Sequence, residues 1–136
     1  MAYAWGVALA IAAAIFAAIV GFDRERSFYP VVLVVIASYY ILFAVMQGSM
    51  PALGAEIIAF AAFALASAAG FRWNLWIAAA ALLGHGLFDF GHDLLIDNPG
   101  VPAWWPAWCL AYDAAAAACL AWLILSGRQN AKARLD

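Results

Sequence analysis

A chain of 136 residues that is 70% hydrophobic and 10% charged cannot cover a water-facing surface, because soluble domains carry charge on about a quarter of their residues. Its formal net charge of −2 says little about partners, and its six Lys and Arg make a thin fringe suited to anionic lipid headgroups rather than nucleic acid. A mean hydropathy of +0.96 with long apolar runs, and without the period-two alternation of a membrane barrel, makes the expected fold class all-α: a polytopic integral membrane protein.

In chain order, five apolar stretches predict five transmembrane helices in a single domain spanning residues 1–136. The first covers about 3–22 and ends at Asp23, Arg24, Glu25 and Arg26. The second covers about 29–46, with Pro30 near its start, where a missing backbone N–H costs little. The third covers about 51–70, the fourth about 74–96, and the fifth about 104–125. Asp97, Asn98, Pro99 and Gly100 supply turn chemistry after the fourth. Short connections make successive helices antiparallel neighbours in a compact five-helix bundle.

Basic residues set the orientation, because Lys and Arg are retained on the cytoplasmic side. Arg24, Arg26, Arg72, Arg128, Lys132 and Arg134 all fall on one side of a five-span chain, and the opposite loops have none. The expectation is N-terminus out and C-terminus in. Trp5, Trp104, Trp105 and Trp108 are expected in the outer aromatic belt, and Trp73, Trp76 and Trp122 near the inner one. No basic n-region marks the first span as a cleavable signal. Cys109 and Cys119, about 15 Å apart on one helix by its rise, read as buried thiols that do not bridge each other.

The chemistry concentrates in GHGLFDFGHDLLIDNPG, residues 84–100, which holds both histidines and three of the eight acidic residues. Counted along the helix from Asp97, His92 and Asp93 lie about 6 to 8 Å deep, Asp89 about 12 Å and His85 about 18 Å. Asp113 and Glu56 come to similar depth from the fifth and third spans. On one continuous helix His85, Asp89 and His92 share a face within about 60°. A charge facing lipid there would cost at least about 2.5 to 3.5 kcal/mol, so that face must look inward. Gly84 and Gly91 form a separate small stripe for close helix approach.

Two imidazoles with carboxylates have the donor set of a metal site. The expected ligands are His85, Asp89, His92 and Asp113, with Glu56 or Asp113 as general base if the site is catalytic. The cofactor would be a divalent ion, zinc or iron first, with manganese and copper as alternatives. Tyr40 and Gln47, seven residues apart on the second span, and Cys109, one turn before Asp113, are secondary candidates; the plain alternative makes the tyrosine and glutamine interfacial anchors and the cysteine a small buried hydrophobe. Two further readings stand beside the metal site: a proton or cation relay in a transporter module, and a structural polar network in an assembly subunit.

The run H-G-x-F-D-x-x-H, then N-P-G-V-P-x-W-W-P, then C-x-x-x-D, together with F-D-R-E-R-S-F-Y-P and A-S-Y-Y, resembles a group of small uncharacterised bacterial inner-membrane proteins. The likeness covers most of the chain. It implies a five-span protein of the bacterial inner membrane and carries no activity with it. The functional expectation is a membrane-embedded metal-binding protein acting as a metal-dependent hydrolase or oxidoreductase. Its partners would be the lipid bilayer, a lipid-like or apolar substrate and a second copy of itself, and not nucleic acid.

Overall fold

The computed structural model describes residues 1–128. Lys132 and Arg134, two of the basic residues behind the expected orientation, lie outside the described residues. Six helices follow one another: α1 (Ala2–Val20), α2 (Phe28–Gln47), α3 (Met50–Arg72), α4 (Leu75–Phe90), the single turn α5 (His92–Leu95) and α6 (Trp105–Leu125). Among the described residues there is no strand. Four of the helices, α1, α2, α3 and α6, are long and apolar enough to cross a membrane. Their outer faces carry apolar side chains such as Ile19, 80% exposed, and Leu65, 72% exposed. Such a surface calls for lipid rather than water.

Local chemistry sets the helix ends. Gly21 and Gly48 close α1 and α2 at φ 91° and 72°, the left-handed conformation that glycine adopts without a Cβ penalty. The Ser49 and Asn74 side chains accept from the backbone N–H groups of Ala52 and Trp76 and cap α3 and α4. Pro51 and Pro106 sit in the first turns of α3 and α6, where proline is tolerated.

The helix expected over 74–96 is interrupted. It stops at Phe90, where Gly91 N–H closes the last turn onto Leu87 and Phe88, and the chain restarts as α5. Glycine is a weak helix former, and here it is a break rather than a packing position: a Cβ at Gly91 would meet only its own helix's carbonyls at 3.9 Å, and one at Gly84 nothing within 4 Å. The close approach expected of those two glycines occurs instead at Gly86, whose Cβ would lie 3.1 Å from that of Asp113.

α6 is the hub, packed between α1 and α4, while α3 bridges α4 and α2. Small residues permit this: Gly6 lies directly on the Trp108 carbonyl, and a Cβ at Gly70 would come within 2.7 Å of Ala78. Leu33, Leu82 and Leu120 fill the centre. Trp105, at the start of α6, is buried among Tyr39, Phe43 and Trp108.

The two ends differ in charge. At one, Arg26 donates to the Phe71 carbonyl at 2.7 Å, and Arg128 stands 3.5 Å from Asp23 and over the Trp122 ring. At the other, the segment from α5 to α6 carries Asp93 and Asp97 and no Lys or Arg.

Candidate metal centre

Four helices bring five acidic and imidazole side chains into the interior near the α5 end. α4 supplies His85 and Asp89 one turn apart, α6 supplies Asp113, α3 supplies Glu56 near its start, and α5 supplies His92. Each of the five is at most 1% exposed. They fall into two groups.

In the first group, His85 Nδ1 faces two carboxylates, Asp113 Oδ2 at 2.7 Å and Asp89 Oδ2 at 3.3 Å. One ligand atom from each of His85, Asp89 and Asp113 lies within 4.8 Å of the others. These three residues could therefore hold a metal ion. Gly86 brings them together, because the absent side chain lets α4 settle onto Leu110 and Asp113 of α6. The ring nitrogen has one hydrogen to give and two acceptors before it. Both Asp89 oxygens and Asp113 Oδ1 accept no aligned hydrogen bond, although the Tyr40 hydroxyl and Cys109 thiol border Asp89. Two buried carboxylates this close to one ring nitrogen repel each other and are stabilised by a positive charge between them.

The second group places His92 apart from the first three. With the helix broken at Gly91, the expected i, i+7 register with His85 no longer holds. His92 Nε2 instead lies 2.8 Å from Glu56 Oε1. Asn98 Nδ2 donates to the same oxygen at 2.8 Å and to the Tyr40 carbonyl at 3.1 Å, while Asn98 Oδ1 accepts from Gly100 N–H at 3.2 Å. Glu56, expected as a general base beside the metal, is thus the carboxylate partner of an imidazole. Tyr40 joins the groups: its ring stacks on His92 with centroids 4.2 Å apart and meets His85 edge-on at 6.4 Å.

The sequence pointed to His85, Asp89, Asp113, Glu56 and His92 and to the secondary candidates Tyr40 and Cys109, and all of these line the buried region. Gln47 is exposed and takes no part. Asn98 was not among the candidates, because in N-P-G it reads as turn chemistry alone. Its excess of side-chain hydrogen-bonding capacity at a loop facing buried acids is the one signal that would have found it.

Among the buried groups near the α5 end, three carboxyls (Glu56, Asp89, Asp113) face two imidazoles (His85, His92). Even with both rings charged, one carboxylate remains to be neutralised by a proton or a cation, since an uncompensated buried charge is prohibitive. No protein-family model, curated protein or solved structure gives a significant match to this chain.

Proposed function

We propose that the chain is a five-span protein of the bacterial inner membrane, N-terminus out, which binds a divalent metal ion at His85, Asp89 and Asp113 between α4 and α6. The observation that carries the reading is the convergence of one imidazole and two carboxylates, from two helices, with one ligand atom of each within 4.8 Å of the others. For the span count, α4 with α5 and the extended residues after it supplies the fifth crossing: 16 helical residues rise about 24 Å, and thinning of the bilayer accommodates a short span at modest cost. For the orientation, Arg24, Arg26, Arg72 and Arg128 gather at the end away from the site, which would face the cytoplasm.

A nitrogen and oxygen donor set favours zinc, iron(II) or manganese. The ligands are enclosed by Phe63, Phe88 and Tyr40 around the imidazole. Such enclosure favours holding an ion over turning over a bulky lipid-like substrate. A through-path for a transporter finds little support at the opposite end. There Ser67 donates to the Pro30 carbonyl, Ser38 to the Val35 carbonyl, and Asn74 caps α4.

Elemental analysis of the detergent-purified chain, prepared without chelators, tests the reading. About one equivalent of metal is expected in the wild type, with loss of most of it in His85→Ala and in Asp113→Asn, while the circular dichroism stays helical. Metal-free wild type, or full occupancy in both variants, would refute it.

A further inference from the structure

The His92 ring has one nitrogen committed and one free. Asn98 is fixed by three partners, so its Nδ2 must donate to Glu56 Oε1, and that oxygen is an acceptor. His92 Nε2 lies 2.8 Å from the same oxygen, and in the tautomer that donates to it Nε2 carries the hydrogen. In the neutral ring this leaves the lone pair on Nδ1. That atom is buried and closes no aligned hydrogen bond, and the Asp93 carboxylate stands 3.5 Å away. The separation is too long for a good hydrogen bond and about 0.1 Å beyond the spacing of two donors on one metal ion, since bonds of about 2.1 Å at tetrahedral or octahedral angles put donors about 3.0 to 3.4 Å apart.

Position gives this pair a direction. His92 is 0% exposed and Asp93 82% exposed, so the two donors bridge the protein interior and the surrounding water. The adjoining segment has Asp93 and Asp97 and no Lys or Arg, a local field that draws cations in. On the inner side Tyr40 stacks on His92 and borders Asp89, so its ring touches both the pair and the buried cluster.

We infer that His92 Nδ1 and Asp93 form a capture site for a divalent transition-metal ion, which takes the ion from the aqueous phase and passes it by way of Tyr40 to His85, Asp89 and Asp113. The inference rests on the metal reading of the buried cluster and adds to it the route and side of loading. Glu56 and Asn98 are positioning residues here, since they hold the ring so that Nδ1 and not Nε2 faces Asp93.

Cobalt(II), whose ligand-field absorption reports coordination, is the probe, mixed with the purified full-length chain in detergent. Asp93→Asn is expected to reach the wild-type final absorbance about tenfold more slowly, and Asp93→Glu to load at close to the wild-type rate. His85→Ala should lose the tight band altogether. Loading of Asp93→Asn at the wild-type rate would overturn the inference, as would a reduced final stoichiometry, which would make Asp93 a resident ligand. Full stoichiometry in His85→Ala would instead overturn the buried-cluster reading, and a wild type that takes up no cobalt would overturn both. Asp93 is exposed, so an unchanged melting temperature in Asp93→Asn separates slow loading from misfolding.

Discussion

Asn98 shows how much one side chain holds at the α5 end. Its amide makes three hydrogen bonds, to the Glu56 side chain, the Tyr40 carbonyl and the Gly100 amide, and so joins α3, α2 and the loop before α6. Hydrogen bonds to charged groups are worth about 1.5 to 3 kcal/mol and neutral ones about 1. Asn98→Ala should therefore lower stability by about 2 to 4 kcal/mol, read as a fall in melting temperature in detergent. An unchanged melting temperature would mean that the loop is held by Gly100 and Val101 instead. The acids and histidines of this site were legible in the sequence, because ionisable residues in apolar runs must face inward. Their partners were not. Pairing His85 with Asp113 and His92 with Glu56 depends on helix rotation and on a break that residue spacing does not disclose.

At the scale of elements, the starts and stops were the legible part. Gly21, Gly48, Asn74 and Pro106 mark them with side-chain chemistry that acts within one turn. The break at Gly91 was hidden, because a glycine in an apolar helix reads equally as a packing surface. Helix-to-helix contact separates the two uses of glycine. A Cβ at Gly6 would run into the Trp108 carbonyl, whereas one at Gly54 meets nothing within 4 Å. Gly6→Ala is expected to push α1 off α6 and cost about 1 to 3 kcal/mol. Gly54→Ala should be neutral or stabilising by up to about 1 kcal/mol, as glycine is a poor helix former. Parallel thermal unfolding of the two variants checks both signs, and equal effects would contradict the α1–α6 contact.

For the molecule as a whole, the all-helical class followed from composition, since a chain this apolar must satisfy its backbone internally. The side of the membrane on which each end lies is open to direct test. In a chain with Cys109 and Cys119 replaced by alanine, the proposed orientation expects Asp97→Cys to react with a membrane-impermeant maleimide on intact cells. Arg72→Cys should react only after lysis. The reverse pattern would invert the topology and place the proposed metal site toward the cytoplasm.

The uneven distribution of polar groups has a consequence for energetics. Apart from Asp23, which faces Arg128, the buried carboxylates among the described residues lie toward one end, and Ser38 and Ser67 at the other are spent on backbone carbonyls. An ion taken from the α5 end would stop partway through the electric field of the membrane and leave as it came. A full traverse is worth about 2.3 kcal/mol per unit charge at 100 mV, and a dead-end vestibule draws on only a fraction of it for each charge. Occupancy would then follow the ion's concentration on that one side and respond weakly to energisation of the cell, which is the behaviour of a reservoir or sensor rather than a pump.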